Sequence, residues 1–219
     1  MNYIYLIIFI FIWIWWIYLA HPSCKSIVLD KLKPRFKTGD IILFHALDNI
    51  NPVIIGSYFG HVAIIYVDPD DPNGEPYIFE SSNPTWMCMG PQQNPNGIFL
   101  SKLTDRLRRY KGLIYYKELS HEINPDICRG FKNFIKYAHE NMAYECNVLN
   151  AWHSGLISFC TKKTNCGETV FLSLIKLGLI PESEYYNITF HYLLKMVYIK
   201  KLLNGYYYKD IIRITDYPF

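Results

Sequence analysis

Residues 61–80, HVAIIYVDPDDPNGEPYIFE, read as two strands folded back on one another. Residues 61–68 (HVAIIYVD) are apolar on both faces, the mark of a central strand. Residues 69–76 (PDDPNGEP) are dense turn chemistry. Residues 77–80 (YIFE) resume an extended pattern, so the pair predicts an antiparallel hairpin. A turn between Asp70 and Asp71 sets His61 directly opposite Glu80, with Cβ atoms about 4.5–5.5 Å apart.

Working outward, residues 40–45 (DIILFH) predict a strand entered through the turn residue Gly39. A loop rich in Pro, Asn and Gln (residues 83–97) leads to a short strand at 98–100 and a short basic helix over 101–110. A further strand follows at 112–119. Residues 126–141 have helical spacing, with Ile127, Phe131, Phe134, Ile135 and Ala138 on one face. Residues 145–164 are irregular, 166–177 form the best-defined helix, and the chain closes with a helix over 189–203 and a strand over 210–214. The expected body, residues 39–219, is a single α+β domain: a small antiparallel sheet flanked by helices.

The chain has 219 residues, of which 51% are apolar and 19% charged, enough to bury a core and too apolar for disorder. Lys and Arg number 22 against 19 Asp and Glu, a balance that argues against a nucleic-acid binder. The apolar excess concentrates at the start. Residues 3–20 (YIYLIIFIFIWIWWIYLA) carry no charge and make a helix about 27 Å long, close to the roughly 30 Å of a hydrocarbon core. No basic residue precedes this run, and Tyr18-Leu19-Ala20 lacks the small residue of a cleavage site. Residues 1–20 are therefore expected to be an uncleaved transmembrane signal-anchor, and residues 21–38 a juxtamembrane linker. Lys25, Lys31, Lys33, Arg35 and Lys37 all follow the span, which by the positive-inside rule makes the protein single-pass with a cytosol-facing body. Asn187-Ile188-Thr189 is a glycosylation sequon, meaningful only for a lumenal body.

Six cysteines do not demand disulfides in a chain of this size. Cys146, His153, Cys160 and Cys166 match no zinc spacing, and neither a metal nor a cofactor is expected. Cys166 stands out by its placement. Asn165 is a good N-cap, and Glu168 completes a capping box. The helix buries Val170, Phe171, Leu174 and Ile175 and stops at Gly178. Cys166 thus takes the first helical position, where unsatisfied N–H groups favour a thiolate; the alternative is a small buried hydrophobe. A nucleophilic thiol needs a base, and among seven histidines His61 leads, at the mouth of the central strand. Glu80 opposite it supplies the carboxylate that orients an imidazole and stabilises its charge.

The series Gly39-Asp40-Ile41-Ile42-Leu43-Phe44, Gly60-His61-Val62-Ala63-Ile64-Ile65-Tyr66, Phe79-Glu80-Ser81 and Cys166-Gly167-Glu168, before an apolar helix ending in Leu177-Gly178-Leu179, resembles the circularly permuted NlpC-type papain-fold hydrolases, in particular the YiiX-like branch. The resemblance spans roughly residues 37–180. It implies a permuted papain-like fold, with Cys166 as nucleophile, His61 as general base and Glu80 as the orienting group. Tyr144-Glu145 sits where that family often has a Tyr-Asp pair. The chain departs from the family at Gly167, where Ser or Thr is common.

The function expected from these features is a membrane-anchored thiol hydrolase, an amidase, peptidase or esterase that works through an acyl-enzyme on a peptide, amide or lipid-acyl substrate. One alternative is a lecithin-retinol-acyltransferase-like lipid enzyme, which Asn165-Cys166 resembles. That group uses a second histidine about a dozen residues after the first, and position 73 here is Asn. The other alternative is a non-catalytic membrane scaffold, supported by the basic cluster Arg106, Arg108, Arg109 and Lys111.

Overall fold

Along residues 41–44 successive side chains point to opposite faces of a sheet, yet Ile41, Ile42, Leu43 and Phe44 are all fully buried. A strand covered on both sides reads as a continuous apolar run, and the same holds for residues 62–66. The computed structural model describes residues 5, 7–12, 22–46, 58–71, 73–82, 96–144, 163–186 and 199–216. In chain order its elements are β1 (Lys25–Val28), α1 (Leu29–Leu32), β2 (Ile41–Ala46), β3 (His61–Tyr66), β4 (Tyr77–Ser81), β5 (Ile98–Lys102), α2 (Leu103–Arg109) and β6 (Gly112–Lys117), then α3 (Pro125–Asn141), β7 (Ala143–Tyr144), β8 (Lys163–Thr164), α4 (Cys166–Lys176), α5 (Ser183–Tyr186) and β9 (Ile212–Thr215).

Seven strands form one sheet in the order β1-β9-β6-β2-β3-β4-β5. Every neighbouring pair is antiparallel except β1 and β9 at the edge. On one face Leu43, Val62, Ile64 and Phe79 pack against Phe131 and Ile135 of α3 and Val170, Phe171 and Leu174 of α4. On the other, Ile42, Phe44, Ala63, Ile65 and Ile78 meet Leu29 and Leu32 of α1 and Leu103 and Leu107 of α2. The architecture is α+β, a mostly antiparallel sheet between helices, larger than the small sheet expected. β7 and β8 pair separately in parallel.

One expectation about the chain's course is corrected, and two others fall largely outside the described residues. The stretch 21–38, read as a linker, belongs in large part to the domain: β1 extends the sheet, and Leu29, Leu32 and Phe36 are buried beneath it. Its exposed lysines alternate with these apolar positions, and their number hid the pattern. The helix expected over 189–203 lies outside the described residues up to 198, and its described end carries a 3-10 turn at Leu203–Gly205. Of the expected anchor, residues 7–12 are helical and 13–20 lie outside the described residues. No helix among the described residues is long and apolar enough to cross a membrane.

The Gly-Asp pair before β2 fastens the far end of the sheet. Gly39 sits at φ +94°, and a Cβ there would press to 3.0 Å from Ile123 and Leu119. Asp40 accepts the backbone N–H groups of Leu119 (2.8 Å) and Lys37 (2.9 Å) and the Tyr116 hydroxyl (2.6 Å). Burial pushes its carboxyl up to about 7, against the pull of Lys37 and these donors.

Candidate active site

α4 begins because Asn165 is extended (φ −98°, ψ 173°) and its side-chain oxygen accepts the Glu168 N–H at 2.9 Å. It ends where Gly178 adopts φ +69° and Leu179 N–H returns to the Leu174 carbonyl. Thr169 in its first turn donates to Ser81 Oγ (2.8 Å), the last residue of β4. That bond fixes the start of α4 against the strand that carries Glu80, and so fixes Cys166.

His61 opens β3, opposite Phe44 of β2. Across the other edge Ile64 faces Phe79 and Ile65 faces Ile78, a register that puts Glu80 opposite Ala63 and not His61. The expected pairing is thus displaced by two residues. Two successive turns, closed by Asp71 N–H to Asp68 O and Gly74 N–H to Asp71 O, centre the loop one residue later than a turn at Asp70 and Asp71. A displacement of two keeps both side chains on one face. The contact is then diagonal, and the Glu80 side chain is long enough to close it: His61 Nε2 lies 2.6 Å from Glu80 Oε2.

With Nε2 on Glu80, Nδ1 is the nitrogen left for Cys166, whose thiol hydrogen-bonds the imidazole. Burial pushes the Cys166 thiol up, but His61 and the backbone N–H groups of Val62 and Gly167 outweigh it and hold the thiol below its ordinary value. Burial likewise depresses His61, yet Cys166 and Glu80 lift it to about 9. Glu80 is 0% exposed. Burial raises its carboxyl, and Arg106 and His61 more than offset this and hold it at about 2. The structure therefore brings Cys166, His61 and Glu80 together, with the thiol held below its ordinary value, the imidazole raised and the carboxyl lowered.

The sequence groups Arg106 with Arg108, Arg109 and Lys111 in one basic cluster. In the structure Arg108, Arg109 and Lys111 are exposed, whereas Arg106 is 3% exposed and points inward. Its Nε donates to Glu80 Oε1 at 2.7 Å and its Nη2 to Glu80 Oε2 at 3.3 Å. The guanidinium lies over the Phe44 ring (4.6 Å) and near that of Tyr110 (5.5 Å), and Phe44 in turn lies 5.4 Å from the His61 ring. A signal was present: Leu103, Arg106, Leu107 and Tyr110 share a helical face.

The other described histidines are engaged elsewhere. His45 stacks on Tyr58 at 4.0 Å, His139 Nδ1 lies 3.1 Å from the Ile98 carbonyl, and His121 contacts Ser120. Tyr144 pairs with Thr164, two residues before Cys166. Among the described residues no group of three or more His, Cys, Asp or Glu side chains gathers as a metal site.

The chain is similar in structure to the metalloprotein yiiX of Escherichia coli O157:H7 (DUF1105), with 15% sequence identity and a TM-score of 0.44. The alignment covers 64% of this chain and 65% of that one, just under two thirds of its length. No protein-family model matches the chain, and no curated protein matches it.

Proposed function

We propose that this chain is a membrane-anchored cysteine hydrolase of permuted papain-like type that cleaves an amide or ester through an acyl-enzyme. The observation that carries this reading is the hydrogen-bonded run from the Cys166 thiol at a helix start, through His61, to buried Glu80 at 2.6 Å. A thiolate stabilised by an imidazolium is a nucleophile ready at neutral pH.

In the proposed reaction the Cys166 thiolate adds to the substrate carbonyl carbon, and the carbonyl electron pair moves onto oxygen. Backbone N–H groups of the first helical turn lack intrahelical partners, and that of Cys166 is positioned by sequence to meet the oxyanion. Collapse of this intermediate breaks the bond to the leaving amine or alkoxide, which takes the proton from His61 Nδ1. Neutral His61 then takes a proton from water as the oxygen attacks the thioester, and the thiolate departs to restore the resting pair. Glu80 keeps the imidazole oriented and supports its charge throughout.

The anchoring half of the proposal rests on the uncharged run at residues 3–20. Within it Ile7, Phe9 and Phe11 are 53%, 62% and 69% exposed, an apolar surface suited to lipid. The cytosol-facing orientation is part of the same proposal and rests on the flanking lysines.

The test is to incubate the purified full chain in detergent with p-nitrophenyl acetate and with a fluorogenic peptide amide, and to examine the protein by mass spectrometry. A burst of product with an acetyl group on Cys166, lost in Cys166→Ala, is the expected result. Product formation that survives Cys166→Ala, or acylation only at other cysteines, would sink the reading.

A further inference from the structure

We propose that Arg106 is the positioning residue of a four-member charge relay, Cys166–His61–Glu80–Arg106, and that its guanidinium sets how readily the thiol ionises. This deepens the hydrolase reading and rests on it.

The four groups come from four different elements: Cys166 from α4, His61 from β3, Glu80 from β4 and Arg106 from α2. In the proposed resting state, thiolate, imidazolium, carboxylate and guanidinium charges alternate in sign and sum to zero. Arg106 faces Glu80 from α2, and His61 faces it from β3. Among the described residues His61 is faced by Glu80 and by Cys166, while β2 contributes the uncharged Phe44 ring. Tyr110, after α2, flanks the guanidinium. Arg106 binds both carboxylate oxygens of Glu80, so it fixes the plane of that carboxylate as well as its charge. The plane decides whether Oε2 points at Nε2 of His61, and Nε2 decides whether Nδ1 reaches the thiol.

Charge balance gives this arrangement a distinctive genetic signature. Without Arg106, a buried thiolate, imidazolium and carboxylate carry one net negative charge. A proton then returns to Glu80 or to Cys166. Without Glu80, the Arg106 guanidinium is left uncompensated beside His61 and opposes the imidazolium, so the thiol loses its counter-ion. Removing both groups restores neutrality, and the Cys166–His61 pair regains what the single Glu80 change took away. A purely structural role for Arg106 gives the opposite order, because a second deletion in a buried cluster adds damage.

The experiment measures iodoacetamide labelling of Cys166 against pH in the full chain, by mass spectrometry, for the wild type, Arg106→Lys, Arg106→Met, Glu80→Gln and the double variant Glu80→Gln/Arg106→Met. Infrared difference spectra follow the protonated-carboxyl stretch over the same range. In Arg106→Met, either the labelling midpoint moves up by about one pH unit or a carboxyl band that is absent in the double variant appears near neutral pH. At pH 6 Glu80→Gln labels about tenfold more slowly than the double variant, the equivalent of one pKa unit. Arg106→Lys keeps the charge but loses the paired contact and falls between wild type and Arg106→Met.

If Arg106→Met does not fold, the order of Glu80→Gln and the double variant decides alone. The proposal is overturned if the double variant labels no faster than Glu80→Gln, or if Arg106→Met changes neither the labelling midpoint nor the carboxyl band. The hydrolase reading fails separately. In that case wild-type Cys166 labels as an ordinary thiol and His61→Ala has no effect.

Discussion

His61 and Glu80 meet on a diagonal. Their strands pair Ile64 with Phe79, so the two residues are offset by two positions, and a 2.6 Å contact still joins Nε2 to Oε2. Diagonal neighbours stand roughly 7–8 Å apart at the backbone, and only a side chain as long as glutamate closes that gap to a short imidazole.

Length at position 80 should therefore matter as much as charge. Glu80→Asp keeps the carboxylate but draws it back by about 1.5 Å, one carbon–carbon bond. Turnover of the ester substrate is expected to fall roughly tenfold to a hundredfold, less than the roughly 10⁴ that a lost triad carboxylate costs a serine enzyme. An aspartate variant with wild-type turnover would show that the diagonal contact does not orient the imidazole.

His61 should control the reactivity of Cys166. Its imidazolium holds the thiol below its ordinary value, so His61→Ala should slow labelling at pH 6 by at least tenfold. Labelling followed peptide by peptide gives the rate directly, with Cys24 and Cys128 as internal references whose thiols burial pushes up. Equal rates in variant and wild type would remove the imidazole from the picture.

Glu80 should also shape acid stability. Its carboxyl falls from 4.5 to about 2 on folding. A lowered value of this kind contributes stability at pH above 4.5, and the contribution is lost as pH falls from there through about 2. Integrated over that window it is of the order of 3 kcal/mol. Urea titrations between pH 5 and 2.5 should show stability falling less steeply in Glu80→Gln, although that variant starts lower because Arg106 loses its partner.

Capping of α4 is separable from chemistry. Asn165→Ala removes the acceptor for the Glu168 N–H and should cost about 1 kcal/mol. In a domain of this size that is about 2–4 °C in Tm by calorimetry. Labelling of Cys166 should slow as well, because the first helical turn frays and its N–H groups no longer hold the thiolate. A lower Tm with unchanged labelling would mean that Cys166 keeps its place without the cap.

The boundary between the proposed anchor and the body can be located by truncation. Deletion of residues 1–20 leaves β1 intact, and the remaining chain should give a cooperative thermal transition by circular dichroism. Deletion of residues 1–38 strips β1 and α1 and uncovers the face that Leu29, Leu32 and Phe36 bury. That product should aggregate or melt without cooperativity; if both behave alike, β1 contributes nothing to the fold.

Much of the central architecture was legible because its periodicities are strong. Residues 61–66 and 166–176 carry the patterns of a doubly buried strand and a capped amphipathic helix, and both appear where expected. His61 and Glu80 came out on the same face although the turn was misplaced, since an even shift preserves strand parity. Arg106 was missed because Arg108, Arg109 and Lys111 surround it in sequence, and composition masked the inward face it shares with Leu103 and Leu107. β1 was missed for a related reason. An edge strand followed by one helical turn offers too few periods to stand out against five basic residues.

The neighbour of β1 in the sheet is β9, built from residues 212–215. During synthesis, then, the strand nearest the proposed anchor has no edge to join until those residues emerge from the ribosome. The β2-β3-β4-β5 meander consists of nearby pairings and is free to assemble early, while β1 stays exposed through most of translation. Closure of the sheet is thus a late, long-range event. A force applied through the anchor would act first on the β1–β9 pair, peeling away a parallel edge before it reached the strands that carry His61 and Glu80.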